Sequence, residues 1–296
     1  MRWRDNRVAH LFLAPWFLGL FALTMAPILA SLYLSFTDYN LLTPPEWTGA
    51  SNYTALFDDV HYLNSVQVTF VYVIASVPLS VLFALLVAVA LSGNRRGVGA
   101  YRSVYYLPSL MGGSVAVAML WREIFGPNGL INTVLAWFGI EGPSWISRPE
   151  TALWTLIILN VWQFGAPMLI FLAGIKQIPA ELLEAAAVDG ASRVRRFLTI
   201  TVPMLSPLIF FNLVLNMINS FKAFTSAFVV SGGTGGPADS TLFYTLNLYV
   251  QAFTNLKMGY ASAQAWVLLV ITGLFTAGMF LTSRYWVYYA DTEGRR

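Results

Sequence analysis

The sequence predicts an all-α integral membrane protein, and three observations carry that prediction. Apolar residues make up 57% of the chain and charged residues only 10%, a composition too apolar for a soluble domain of 296 residues. The apolar residues stand in long runs, and a helix of about 20 such residues crosses the hydrocarbon core of a bilayer. Lysines and arginines gather at one set of run ends, as the positive-inside rule describes for membrane helices.

Six apolar runs are long enough to span the membrane, and no long soluble region or internal repeat interrupts them. The chain is therefore predicted to be a single transmembrane domain over residues 1–296. The predicted spans are residues 11–36, 66–91, 104–125, 151–175, 203–230 and 261–281.

The first two spans are defined by the charges around them. Three arginines precede the first span, whose apolar run exceeds the core of a cleaved signal peptide, so we expect a retained span with its amino terminus inside. The connection over residues 37–65 contains four acidic residues but no lysine or arginine, and it is expected outside. The turn over residues 92–97 carries two arginines and is expected inside.

The later spans carry more breaks. Pro108, Gly112 and Gly113 interrupt the third span and predict a kink or a close helix approach there. The apolar segment over residues 130–140 is too short to span and suits a helix in the membrane interface. The fourth span leads into a polar loop expected inside, and the glycine-rich turn over residues 231–237 is expected outside.

The charge distribution supports this topology, with both termini in the cytoplasm. Thirteen of the 17 lysines and arginines fall on its inner side. They are Arg2, Arg4, Arg7, Arg95, Arg96, Arg102, Lys176, Arg193, Arg195, Arg196, Arg284, Arg295 and Arg296. The other four, outside or near the outer face, are Arg122, Arg148, Lys222 and Lys257.

The polar loop between the fourth and fifth spans, residues 176–202, predicts a helix-turn-helix. Pro179 suits the first turn of a short helix, two glutamates place negative charge near its positive end, and Gly190 supplies a positive φ that ends it. Ser192 can then cap a second short helix, which would run to Pro203.

The residues of this loop resemble the cytoplasmic loop of binding-protein-dependent ABC importer permeases. The resemblance rests on Glu184, Ala185, Ala186, Asp189, Gly190, Ala191, Phe197, Ile200, Pro203 and Pro207. Three further segments look like parts of the carbohydrate-importing permeases of the maltose and oligosaccharide type. They are residues 35–40, 235–237 and 259–263.

This resemblance implies a permease subunit of the bacterial-type inner membrane that moves a carbohydrate, expected to be an oligosaccharide, inward by alternating access. It implies four kinds of partner: a second homologous permease, two ATPase subunits, an extracytoplasmic sugar-binding protein and the lipid bilayer. The residues expected to couple to the ATPase are Glu184, Ala185, Ala186, Asp189, Gly190 and Ala191. Asp189 has an alternative role, which is to hold the turn.

The sequence lacks the residues that several kinds of catalytic and binding site require. The glycine-rich turn has no Lys-Ser/Thr ending, so the chain has no phosphate-binding loop, and ATP and Mg²⁺ are expected to bind the partner ATPases. There is no cysteine, and the two histidines stand far apart, so neither a metal site nor a thiol nucleophile is expected. No enzymatic activity, resident cofactor or nucleic-acid binding is predicted. The alternative function is a secondary transporter or channel subunit, although the spans contain few acids for ion coupling.

Neutral amides mark a possible substrate path. On the fifth span Asn212, Asn216 and Asn219 are spaced four and three residues apart and share one helical face. Amides donate and accept hydrogen bonds, which suits the hydroxyl groups of a sugar. Helix packing is the alternative role for these amides. The predicted path residues are Asn160, Gln163, Asn212, Asn216, Asn219 and Lys222, of which Lys222 is expected to snorkel to the outer interface, with contact to an acidic sugar as the alternative.

Overall fold

The structure, a computed structural model, describes residues 12–93 and 97–288. This part of the chain is mostly helical and has one small β-hairpin. Its helices are α1 (Phe12–Leu34), α2 (Ser51–Asp58), α3 (Val60–Ala90), α4 (Val98–Leu110), α5 (Val115–Ile124), α6 (Leu130–Trp137), α7 (Pro149–Trp162), α8 (Gly165–Ile175), α9 (Ala180–Val188), α10 (Arg193–Phe221), α11 (Thr225–Ser231), α12 (Tyr244–Tyr249) and α13 (Met258–Trp286). The strands are β1 (Thr37–Asp38) and β2 (Glu46–Trp47). Leu11 and the predicted inner charges Arg2, Arg4, Arg7, Arg95, Arg96, Arg295 and Arg296 lie outside the described residues.

Helices occupy all six predicted spans. Within the described ranges α1, α3, α10 and α13 are each long and apolar enough to cross a membrane alone. The third and fourth predicted spans are instead pairs of shorter helices, α4 with α5 and α7 with α8. Counting each bent pair as one crossing gives up to six. The interfacial segment predicted over residues 130–140 is helical over Leu130–Trp137.

The chain divides into two compact units, Met1–Leu63 with Asn247–Val270, and Asn64–Leu246 with Ile271–Arg296. In the first unit a hairpin follows α1, and β1 and β2 pair antiparallel with Thr37 opposite Trp47. The side-chain amide of Asn52 donates to the carbonyl oxygens of Ser35 and Thr37, at 3.0 and 2.9 Å. These bonds attach α2 to the end of α1 and the start of β1.

A glycine at the start of α13 packs against the same hairpin. The N–H of Gly259 donates to the carbonyl oxygen of Tyr39 at 3.1 Å. A Cβ atom on Gly259 would lie 2.1 Å from the carbonyl oxygen of Thr37, so a side chain does not fit there. Two of the sequence segments singled out above, residues 35–40 and 259–263, therefore meet within the first unit.

In the second unit small residues let helices approach closely. Ala84 and Ala88 of α3 are fully buried beside Met168 and Phe171 of α8. A Cβ atom on Gly174 of α8 would lie 2.3 Å from the side chain of Leu208 on α10. Since no water competes for apolar groups within a bilayer, such close van der Waals contacts are a main source of helix association there.

The third predicted span is bent far more sharply than a kink. The axes of α4 and α5 differ by 103° across a four-residue break. Gly113 takes a positive φ of 68° within that break, and the Ser114 hydroxyl caps α5 by accepting from the N–H of Val117 at 3.2 Å. Gly112 and Gly113, called the glycine pair below, end α4, and the Ser114 cap starts α5 in a different direction.

The helix of the fifth predicted span differs from the predicted bounds at both ends. α10 begins at Arg193, so the second helix of the predicted helix-turn-helix continues into the span and does not stop at Pro203. A wider π-helical turn over Phe197–Thr201 ends two residues before this proline and alters the hydrogen-bond pattern near the position where the proline lacks an N–H. At the other end the helix stops at Phe221, and residues 225–231 form the separate helix α11.

Candidate functional site

The six predicted path residues lie together around two cavities in the second unit. The larger cavity, of about 430 Å³, is lined by Asn160, Gln163, Asn219 and Lys222 among others. The smaller one, of about 270 Å³, is lined by five of the six residues. These five are Asn160, Gln163, Asn212, Asn216 and Asn219. The structure thus brings residues of α7, the loop after it and α10 into one polar region, which we call the amide cluster.

Three amides of the cluster, Asn160, Gln163 and Asn219, line both cavities. The two cavities therefore adjoin at these side chains. A solute that passes from one cavity to the other would contact amide groups that can both donate and accept hydrogen bonds.

The α10 amides make hydrogen bonds within their own helix. The side-chain N–H groups of Asn212 and Asn216 donate four residues back, to the carbonyl oxygens of Leu208 at 2.8 Å and of Asn212 at 3.0 Å. Neither of these two bonds joins α10 to a neighbouring helix. Asn212 is buried, Asn216 is half-buried and Asn219 is exposed, so the amides become more accessible toward the end of α10.

The break between α7 and α8 positions Gln163. The Ser109 hydroxyl of α4 donates to the carbonyl oxygen of Gln163 at 2.9 Å and accepts from the N–H of Ala166 at 3.0 Å. Gly165 lets α8 approach α4, because a Cβ atom there would lie 2.4 Å from the carbonyl oxygen of Tyr105. The side-chain oxygen of Gln163 also reaches the glycine pair, 3.1 Å from where a Cβ atom of Gly112 would stand. The two bent helix pairs are thus joined at the amide cluster.

Lys222 follows directly after the last residue of α10 and is exposed into the larger cavity. No aspartate or glutamate is among the described residues that line either cavity. The region therefore combines neutral hydrogen-bonding groups with one positive charge.

The residues that complete the larger cavity were not predicted from the sequence. They include Tyr72 of α3, Ser114 at the start of α5, and Phe224, Thr225 and Ser226 around the start of α11. Tyr72 is buried, with its phenol next to Asn160 and Ser76. Its spacing of four residues from Ser76 on one helical face is the signal that was available in the sequence.

The predicted helix-turn-helix is present as α9, a turn and the first part of α10. Gly190 has a φ of 79°. Its N–H donates to the carbonyl oxygen of Ala187 at 3.1 Å, and the N–H of Ala191 donates to that of Ala186 at 2.9 Å. This is the hydrogen-bond pattern of a Schellman motif, which needs a residue of positive φ at the glycine position. Pro179 stands one residue before α9 as its N-cap and not in its first turn.

The side chains of Ser192 and Arg196, at the start of the second helix, stabilise this turn. The Ser192 hydroxyl accepts from the N–H of Arg195 at 3.3 Å, as predicted for a cap. The guanidinium group of Arg196 donates to the carbonyl oxygen of Leu183 at 3.2 Å and so links α10 to α9. The side chain of Asp189 is exposed and bonds to none of the described residues, so backbone hydrogen bonds hold the turn.

The surface of the helix-turn-helix is apolar as well as charged. Glu184, Ala185, Asp189 and Gly190 are exposed, while Ala186 and Ala191 are half-buried. Beside them Val188 has 88% of its surface exposed. Leu182, Val194 and Leu198 are exposed as well. Sequence reasoning named only the charged and small residues and missed these apolar ones.

The described residues contain no group of three or more histidine, cysteine, aspartate or glutamate side chains that could hold a metal ion. The chemistry of the candidate site is therefore that of its amides, hydroxyl groups, aromatic rings and one lysine.

Comparisons of this sequence with known proteins agree on one family. The sequence model of the family described as "Binding-protein-dependent transport system inner membrane component" matches residues 55–290. A relative from Bacillus subtilis, named "Probable ABC transporter permease protein YesP", is 52% identical over 98% of this chain and 94% of its own length. The "Probable starch degradation products transport system permease protein AmyD" of Thermoanaerobacterium thermosulfurigenes is 30% identical over 93% of each chain.

The fold is similar to that of a solved transporter. The crystal structure of a bacterial alginate ABC transporter, in complex with an alginate pentasaccharide-bound periplasmic protein, contains a chain that matches with a TM-score of 0.81. The match covers 95% of each chain at 19% sequence identity. At 19% identity this similarity shows only that the two chains share a fold.

Proposed function

Because the chain belongs to the family of binding-protein-dependent transport system inner membrane components, and is a permease component of an ABC sugar importer, we propose that it moves an oligosaccharide inward by alternating access. ATP hydrolysis by separate subunits drives this movement. The amide cluster contacts the passing sugar, and the helix-turn-helix receives the ATPase.

The single observation that supports the substrate path is the convergence of the amides on two adjoining cavities. Hydroxyl groups of a sugar exchange hydrogen bonds with water for hydrogen bonds with these amides, which can match either a donor or an acceptor. Phe224 adds aromatic surface to the larger cavity, and such a ring packs on the less polar face of a sugar ring.

The coupling role rests on the exposed surface of α9 and the turn. Val188 is largely exposed, and the alanines beside it allow close approach of a partner. Glu184 offers a negative charge at the same surface for a positive residue of the ATPase. In this proposal Arg196 keeps α9 attached to α10, so that movement of the docked helix reaches the span.

The complex is proposed to contain a second, homologous permease, two ATPase subunits and an extracytoplasmic sugar-binding protein. Both termini of this chain are placed in the cytoplasm, and the helix-turn-helix lies on the same side. The relative named for starch degradation products is consistent with an oligosaccharide cargo, while the family as a whole supports dependence on a binding protein.

The test is uptake by the complete transporter in proteoliposomes, with its binding protein outside and a panel of oligosaccharides as cargo. Uptake should require internal ATP and internal ATPase subunits, and cargo should stimulate ATP hydrolysis. Uptake that persists without ATP and follows an imposed proton or sodium gradient would instead support a secondary transporter.

A further inference from the structure

The larger cavity carries one positive charge in otherwise neutral surroundings. Lys222 lines it together with Asn160, Gln163 and Asn219, and no carboxylate is among the described residues that do so. A lysine that snorkels directs its ammonium group away from the protein toward the interface. Lys222 lies in the wall of the cavity beside the amide cluster, a position from which it can also reach a cargo.

The start of α5 adds to the positive character of this cavity. Gly112, Gly113 and Ser114, which precede α5, line the cavity with Val117 and Ala118 of its first turns. The amino end of a helix carries about half a positive charge, and this end faces the same space as Lys222. Broken membrane helices present such ends to anionic groups of transported solutes.

We propose that the cargo is an acidic oligosaccharide, in which Lys222 pairs with a sugar carboxylate while the amide cluster binds the hydroxyl groups. This inference rests on the proposed function and specifies its substrate class. A single ammonium group matches the one negative charge of a carboxylate, whereas a phosphate monoester carries about 1.5 to 2 negative charges. A uronate-containing chain presents one carboxylate per acidic sugar and therefore fits this wall.

Lys222 has a second possible role, which the test must separate from the first. It stands at the carboxyl end of α10, where any cation stabilises the helix dipole. That role is independent of the cargo, so its loss would affect all transported sugars equally. A role in carboxylate binding would affect acidic cargo alone.

The experiment compares matched trisaccharides in proteoliposomes that contain the complete transporter and its binding protein. Each pair has one member built of uronic acids and one neutral member with hydroxymethyl groups in place of the carboxylates. The variants are Lys222→Gln, which removes the charge, Lys222→Arg, which keeps it, and the control Lys257→Gln. Lys257 lines a different cavity in the first unit, together with Asp38, Asp58 and Asp59.

We expect ATP-dependent uptake of a uronate trisaccharide, with the KM raised about tenfold or more by Lys222→Gln, because hydrogen bonds to charged groups exceed neutral ones in strength. Lys222→Arg should stay within about twofold of the wild type, as should Lys257→Gln. Uptake of the neutral members in place of the uronates would overturn the inference and leave the permease function intact. An equal effect of Lys222→Gln on both members of a pair would also overturn it. If no carbohydrate on the panel is taken up with ATP, the proposed function itself fails.

Discussion

At the scale of single residues, Asn219 is the amide through which the substrate path is best tested. It is exposed, lines both cavities, and makes no side-chain hydrogen bond to another described residue. Asn219→Leu should weaken uptake by up to about tenfold, since one hydrogen bond to a neutral group contributes about 0.5–1.5 kcal/mol. The measurement is initial uptake rate against cargo concentration in proteoliposomes.

Asn255→Leu is the matched control, because Asn255 is exposed and lines neither cavity. It should transport like the wild type, and both variants should assemble with the ATPase in normal amounts. If Asn219→Leu also transports normally, Asn219 does not contact the cargo.

Gly190 provides a second test at this scale, because its substitution strains only the backbone. No atom lies within 4 Å of where its Cβ would stand, yet its φ of 79° is unfavourable for a residue with a side chain. Gly190→Val should cost about 1–2 kcal/mol or more in the turn and separate ATP hydrolysis from transport. The ratio of sugar transported to ATP hydrolysed, and the ATPase that copurifies, are the two measurements.

Gly190→Asn is the comparison variant, since asparagine tolerates a left-handed backbone better than other residues do. It should retain most of the coupling that Gly190→Val loses. Equal coupling in both variants and the wild type would show that the turn geometry is not needed to transmit the ATPase motion.

At the scale of elements, the junction of the two bent helix pairs depends on Ser109. Its hydroxyl bonds to the carbonyl of Gln163 and to the N–H of Ala166. Ser109→Ala leaves both groups without this partner and should destabilise the folded state by about 1–3 kcal/mol. We expect the thermal unfolding midpoint of the purified chain in detergent to fall by several degrees.

Ser103→Ala on the same helix serves as the control. Ser103 is exposed, and its hydroxyl donates only to the carbonyl oxygen of Gly99 within α4. This variant should unfold within about a degree of the wild type. A similar loss from both substitutions would mean that the junction is not a special source of stability.

The helices and turns also show which features of the fold could be predicted from the sequence and which could not. Apolar run length predicted where the four long apolar helices and the two bent helix pairs lie, because hydropathy responds to the thickness of the bilayer. The helix-turn-helix was predicted from Gly190 and Ser192, whose roles are local and are confirmed by the φ angle and the cap. The 103° angle between α4 and α5 was not predictable, because Pro108 and the glycines permit a bend while tertiary packing decides its size.

Part of the candidate site was also predictable, namely the part that depends on the geometry of a single helix. Asn212, Asn216 and Asn219 share a face of one helix, and this follows from the helical period alone. Their meeting with Tyr72, Ser114 and the start of α11 depends on which helices pack together, which one sequence does not give. The end of α10 at Phe221 was missed because residues 222–224 contain neither glycine nor proline to mark a break.

At the scale of the whole molecule, the proposed topology can be tested by cysteine labelling, since the chain has no native cysteine. Ser51 and Thr234 lie on proposed outer connections, Ser192 lies in the proposed cytoplasmic loop, and all three are exposed. In intact cells a membrane-impermeant maleimide should label Ser51→Cys and Thr234→Cys, but label Ser192→Cys only after the membrane is opened. Labelling of Ser192→Cys in intact cells would place the loop outside and contradict the coupling role.

The continuity of α10 has a mechanical consequence. Arg196, which holds α9, and Asn219, which lines the cavities, stand on one helix, separated by about 35 Å at a rise of about 1.5 Å per residue. A helix of this length acts as a lever arm. A tilt of about 5° about its inner end would displace Asn219 sideways by about 3 Å, roughly the length of one hydrogen bond. A small rotation at the docking surface would thus suffice to break or form the contacts between the amides and a sugar.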